Sequence, residues 1–227
     1  MSTSEDIIHR TEKWLTKPVT TNMTDALAES GALLDALQQE MQKDDGSKKV
    51  IGQLIGKVRG TQKRINSVEM MNWVPVGKGS LSIGHRPAAK LVSDLKLQNT
   101  THILTLLSEH EGGKKVKGVS EKAGIEWLWF PMVSATPPGP DRYEEIDGLF
   151  RTMEAILQAG SRIYIHCSAG IHRTGMITYG FLRYTGLDAE AARQKLEALR
   201  EVTSEGVGAD RLEWGDTVVT ALKATQK

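Results

Sequence analysis

Between Thr24 and Lys43 the apolar residues Leu27, Leu34, Leu37 and Met41 recur at spacings of seven, three and four, the signature of one helical face. Asn22 or Thr24 can cap that helix, and Asp44, Asp45, Gly46 and Ser47 stop it. A basic stretch follows, with Lys48, Lys49, Lys57, Arg59, Lys63 and Arg64 punctuated by Gly52, Gly56 and Gly60, and the glycines argue for a loop or short helices. Residues 1–70 thus read as a helical extension. After Asn72 short β-type runs alternate with helical patterns across Leu81–Gly84, Pro87–Leu97 and His102–Leu107, the mark of an α/β domain over residues 71–227. The series continues with a helix near Val119–Ala123, a strand over Ile125–Phe130, a Pro-rich loop over Pro131–Pro140 and a helix over Arg142–Leu157. A β-rich run, Arg162–Ile165, leads through a tight loop into a helix that starts near Thr174 and stops at Gly186. Asp188 can cap the next helix, with Leu187 stapled against Ala192, and a last helix runs over Asp210–Leu222.

Composition narrows the choices. At 227 residues, 39% hydrophobic and 25% charged, the chain is long enough for one good core plus an extension. A net charge of +1 gives no global field toward nucleic acid or an anionic membrane. The basic stretch Lys48–Arg64 leaves a local RNA or phosphoprotein contact open, but it lacks interleaved aromatics and reads first as a solvated face. The amino end, MSTSEDIIHRTEKW, has no apolar run of signal-peptide length, and no segment is apolar enough to span a bilayer, so a cytoplasmic protein is expected. The single cysteine, Cys167, can form neither an internal disulfide nor a multi-thiol zinc site, which leaves packing or reactivity as its role.

That cysteine lies in the loop between the last strand and its helix: His166, Cys167, Ser168, Ala169, Gly170, Ile171, His172, Arg173, Thr174, Gly175. Successive amides at a strand-to-helix turn point inward and the helix amino end adds positive potential, so a tetrahedral oxyanion can bind there. The same potential favours the Cys167 thiolate. Arg173 offers a planar fork to two phosphate oxygens, Thr174 can donate its hydroxyl to the sulfur, Gly170 permits the curvature, and His166 can buttress the loop. His172 can face a bound anion or point to solvent.

The run HCSAGIHRTG resembles the phosphate loop HCxxGxxRT of the protein tyrosine and dual-specificity phosphatase superfamily. The likeness extends from about Leu81 to the end and is closest to the small dual-specificity members; the first seventy or so residues carry none. It implies a central, mostly parallel sheet flanked by helices, phosphate contacts from Ser168 to Arg173, and two-step transfer through Cys167 without metal or cofactor. Substrates would be phosphotyrosine or mixed phosphoproteins; phosphoinositides, nucleotides or RNA ends, and a weakly active phosphate-binding module, are the alternatives. The family's acid lies in a stretch like FPxxDxxxP, but here Ser134 occupies that place, so Asp141 becomes the first candidate and Glu144, Glu145 and Asp147 read as helix-start acids. No second cysteine is present for an arsenate-reductase-type thiol relay.

Overall fold

The computed structural model describes residues 4–16, 23–43 and 46–225, which fall into two compact units, Met1–Glu69 and Met70–Lys227. Asn22, Asp44 and Asp45, assigned above to a cap and a stop, lie outside the described residues. In the first unit α1 (Ser4–Thr16), α2 (Met23–Glu40) and α3 (Lys48–Asn66) bury Ile7, Trp14, Leu33, Leu37, Ile51, Leu54 and Val58 in a core of their own.

Two readings of this unit need correction. The basic stretch is neither loop nor short helices but one helix of 19 residues. Each glycine costs a helix about 1 kcal/mol relative to alanine, but Ile51, Leu54, Ile55, Val58 and Ile65 form an inward stripe, and burying each stabilises by about 1.5–3 kcal/mol. The stripe prevails. In α2 the buried positions are Ser30, Leu33, Leu37 and Glu40, while Leu27 and Leu34 are half-buried and Met41 is exposed past the helix end. The face is rotated because its polar members have partners: Ser30 accepts from Gln62 at 2.8 Å and Glu40 from Ser4 at 2.6 Å.

The second unit is built on a five-stranded sheet in the order β1-β2-β5-β3-β4. Its strands are β1 (Val74–Val76), β2 (Gly79–Gly84), β3 (His102–Leu107), β4 (Glu126–Met132) and β5 (Arg162–His166). Only β1 runs antiparallel, against β2; the pairs β2–β5, β5–β3 and β3–β4 are parallel. Alternation along the strands divides their side chains between two layers. Ile163 and Ile165 join the larger core with α6 (Tyr143–Gln158), α7 (His172–Tyr184), α8 (Ala189–Leu199) and α10 (Ala209–Thr225). Tyr164 and Ile103 face the smaller one with α4 (Ala89–Leu97) and α5 (Gly113–Lys122).

The mostly parallel sheet with helices on both faces agrees with the expected class. The helix assigned near Val119 begins earlier, at Gly113, and β4 runs two residues beyond Phe130. Strand β1 and the short helix α9 (Glu201–Gly206) carried no clear period and were not anticipated. Asp188 does cap α8, accepting from the Ala191 amide at 2.8 Å. Among the described residues no helix is long and apolar enough to cross a membrane. The carboxyl ends of β2, β5 and β3 lie side by side, the edge at which open parallel sheets bind ligands.

Candidate active site

At that edge β5 ends on His166, and residues 167–171 turn into α7, nearly all of which is buried. Gly170 takes φ +74°, and a Cβ there would come within 2.1 Å of the Gly84 carbonyl oxygen, so no other residue fits the turn. The loop's peptide planes are fixed from outside. Arg200 Nη1 donates to the carbonyls of Ala169 at 3.1 Å and Gly170 at 3.0 Å, and Thr203 Oγ1 donates to Gly170 O at 2.7 Å. The Arg86 amide donates to Ser168 O at 2.9 Å. In a trans peptide the N–H points opposite to the C=O. Tying the Ala169 and Gly170 oxygens outward therefore aims the Gly170 and Ile171 amides inward.

What they aim at is the Cys167 sulfur, 3.3 Å from the Gly170 nitrogen. Burial pushes the Cys167 thiol up, but the hydroxyl and amide of Thr174 and the amides of Gly170 and Ile171 outweigh it, and the thiol lies below its ordinary value. Thr174 Oγ1 is buried with no nitrogen or oxygen partner, which leaves its hydroxyl for the sulfur.

Arg173, buried in the first turn of α7, has its guanidinium held by two groups distant in sequence. Nη1 donates to Glu111 Oε2 at 2.6 Å and to the Met132 carbonyl at 2.7 Å, and Nη2 donates to Glu111 Oε1 at 2.7 Å. A guanidinium has five N–H donors, so these three bonds leave Nε–H and one Nη2–H open. Glu111 first, and Cys167 to a lesser extent, push the Arg173 guanidinium's pKa up, against its desolvation. Glu111 in turn accepts from the Ser108 amide at 3.1 Å and hydroxyl at 2.9 Å. Its bonds to Arg173, against some desolvation, hold its carboxyl down at about 2, so the pair is fully ionised at neutral pH.

His166 lies behind the loop, fully buried. Its Nδ1 is 3.0 Å from the Cys167 carbonyl and its Nε2 is 2.8 Å from Thr105 Oγ1, which also accepts from Trp127 Nε1 at 2.8 Å. A carbonyl only accepts, so Nδ1 carries the hydrogen. In the neutral ring Nε2 then accepts from Thr105. The bonds run from Trp127 through Thr105 and His166 to the peptide of Cys167, each group spending its donor once.

The structure thus gathers Cys167, Gly170, Ile171, Arg173, Thr174 and His166 around one point, with Ser168 and Ala169 contributing backbone. The His172 side chain is exposed. Asp141 does not join the cluster: it sits in a 3-10 turn, Pro140–Arg142, exposed and folded over Gly139. Ser134 is exposed and accepts from the Thr136 amide at 3.1 Å. Glu111, Arg200 and Thr203 were missed by the sequence reading. Glu111 follows the carboxyl end of a strand, a position that favours ligand sites in parallel sheets, and that was its only signal.

Burial, aided by the positive charges of Arg86, His85 and Arg173, holds the His166 imidazole at about 4, against its hydrogen bond to Cys167. An unfolded histidine titrates near 6.5, so between these values the unfolded chain binds the extra proton. The native contribution is intact above about pH 6.5 and is lost as pH falls toward 4. Between pH 7 and pH 5 wild type should therefore lose about 2 kcal/mol more stability than His166→Gln, measured by denaturant unfolding; equal losses would contradict a buried neutral ring.

Residues 79–187 match the family model described as a polymorphic toxin system, DSP-PTPase phosphatase. None of the curated proteins matches the chain by sequence. Among solved structures, the kinase associated phosphatase superposes with a TM-score of 0.58 at 15% identity, over 68% of this chain and 96% of that one. PTPMT1 gives 0.54 at 18% identity over 68% and 98%, and Tk-PTP in its active form 0.52 at 22% over 64% and 93%. These structures share the fold of residues 70 onward, and the sequence match falls on the strand, loop and first turns that form the cradle. That match, over just under half of the chain, makes residues 79–187 similar to a DSP-PTPase phosphatase domain, and the solved structures share its fold.

Proposed function

We propose that the domain hydrolyses phosphate monoesters of phosphotyrosine or mixed phosphoprotein substrates through a cysteinyl-phosphate. The observation that carries the reading is a buried cysteine sulfur under a loop amide, its thiol lowered by hydrogen bonds, with Arg173 six residues on held by Glu111 so that Nε–H and one Nη2–H remain open. The Cys167 thiolate attacks phosphorus, the S–P bond forms, and the P–O bond to the leaving group breaks. The Arg173 Nε and Nη2 hydrogens meet the charge on the transferring oxygens. Water then attacks phosphorus, the S–P bond breaks, and the thiolate leaves into the bonds from Thr174, Gly170 and Ile171. Glu111 is a positioning residue, keeping the guanidinium turned so that its open edge meets phosphate.

Asp141 is the candidate proton donor to the departing oxygen. It lies outside the cluster, and a positioned acid is typically worth about 10²- to 10⁴-fold. An aryl oxygen leaves with a pKa near 10, whereas an alkoxide is far more basic and needs the acid more. Aryl phosphates are therefore the substrates this site handles best.

Three assays bear on this reading. Cys167→Ser should abolish release of phosphate from p-nitrophenyl phosphate, and alkylation of the wild-type thiol should titrate below the free-thiol value of about 8.5. Hydrolysis that survives loss of the sulfur sinks the mechanism. Glu111→Gln should lower kcat roughly 10- to 100-fold, less than the ~10²- to 10³-fold typical of removing a charge-stabilising donor itself. Asp141→Asn should slow phosphoserine peptides by a larger factor than p-nitrophenyl phosphate; equal effects on both, or none, exclude Asp141 as the acid.

A further inference from the structure

We propose that Arg86, flanked by His85 and His110, forms a second anion subsite at the rim of the pocket, and that the preferred substrate is a phosphate monoester carrying a second phosphate. The proposal deepens the monoester reading above and rests on it.

Arg86 is two residues past the end of β2 and is tied to the phosphate loop by its own amide, which donates to Ser168 O at 2.9 Å. Its side chain reaches the other way, to the loop after β3, where Nη2 donates to Gly112 O at 3.1 Å. Gly112 adjoins Glu111, the residue that holds Arg173. The guanidinium therefore spans the edge of the cradle between two loops that build it. It is exposed, and among the described residues it forms no ion pair. The nearby carboxylates are already engaged, Glu109 by Lys114 at 2.7 Å and Glu111 by Arg173.

An arginine fixed at one nitrogen by a neutral carbonyl keeps most of its donors for a ligand and loses little side-chain entropy on binding one. Histidines flank it in sequence and on the neighbouring loops. His85 precedes it, His110 precedes Glu111, and His172 stands at the start of α7; all three side chains are exposed, and among the described residues none has a hydrogen-bond partner. Of the exposed acids on these loops, Glu109 is paired with Lys114 and Asp141 lies on the loop beyond β4. Phosphate matches a planar fork better than a carboxylate at the same distance because it offers more oxygens and up to two charges.

The test compares phenyl phosphate with benzene-1,3-diyl and benzene-1,4-diyl bisphosphates, which keep an aryl leaving group. For wild type, kcat/KM on the better bisphosphate should exceed that on phenyl phosphate about tenfold, a typical gain for hydrogen bonds to charged groups. That gain should shrink as salt rises from low to about 1 M. Arg86→Gln, whose amide can still donate to Gly112, should bring the ratio to the statistical factor of two, with smaller losses in His85→Gln and His110→Gln. A wild-type ratio no greater than two, or one unchanged in Arg86→Gln, overturns the subsite. An equal gain with 3-carboxyphenyl phosphate overturns the assignment to phosphate. If wild type turns over none of these esters, the monoester reading has failed on its own. Calorimetric affinities of the Cys167→Ser protein for the same ligands then decide the subsite, tenfold tighter binding of the bisphosphate supporting it and equal binding refuting it.

Discussion

A cysteine only 4% exposed, whose thiol is lowered by the hydrogen bonds around it, is the placement on which the rest of this domain depends. Burying a charge is costly unless hydrogen bonds and opposite charge replace the water it loses. Here the replacement is built from main-chain amides, one hydroxyl and one guanidinium. The guanidinium creates its own difficulty, since an arginine beside a thiolate would turn to pair with it and fill the space a phosphate needs. Glu111 and the Met132 carbonyl resolve this by occupying the far edge of the fork, so that the near edge stays open and oriented. Outward from the sulfur, whose ionised form these groups favour, a positive charge at Arg173 is followed by a negative one at Glu111.

The amides need an equally firm external frame, because a peptide plane is free to rotate unless its oxygen is held. Arg200 and Thr203 hold two of those oxygens and Arg86 a third. All three lie at the ends of secondary structure elements next to the carboxyl edge of the sheet. The parallel pairing of β2, β5 and β3 brings that edge together, and the residues that orient the loop come from two separate segments, one after β2 and one at the start of α9. Gly170 closes against Gly84 at a distance that allows no side chain, which locks the loop to β2.

What could be read from the sequence was what is contiguous in it. The ten residues from His166 to Gly175 carry their turn, their sulfur and their cation within one strand-loop-helix, so local chemistry identified them. Glu111 stands 62 positions from Arg173 and sits between ordinary loop residues, and no local pattern marks a carboxylate whose partner is remote. Arg200 and Thr203 were hidden for the same reason. In the first unit the failure was of another kind: three glycines outweighed, in a local reading, an apolar period that tertiary burial makes decisive. Ser30 and Glu40 turned α2 inward through hydrogen bonds that no hydrophobic count includes.

The loop beyond β4 shows how an acid can be absent from its customary place without the site falling apart. Its backbone is held at four carbonyls: Met132 by Arg173 at 2.7 Å, Pro131 by Arg142 at 3.1 Å, Ala135 by Arg211 at 2.8 Å and Pro138 by Trp214 at 2.8 Å. None of these bonds involves the side chain at 134, so serine there leaves the loop's course unchanged. Ser134 spends its oxygen on the Thr136 amide, a local turn that a solvent-facing hydroxyl commonly makes. A proton for the leaving group then has to come from beyond the tethered run. Asp141 is the first carboxylate to follow it, and it sits on a turn whose next residue, Arg142, stacks on Phe130 at 4.3 Å. That anchorage limits how far Asp141 can travel, so in the proposed mechanism it would serve a phenolate leaving group, which needs little help, better than an alkoxide.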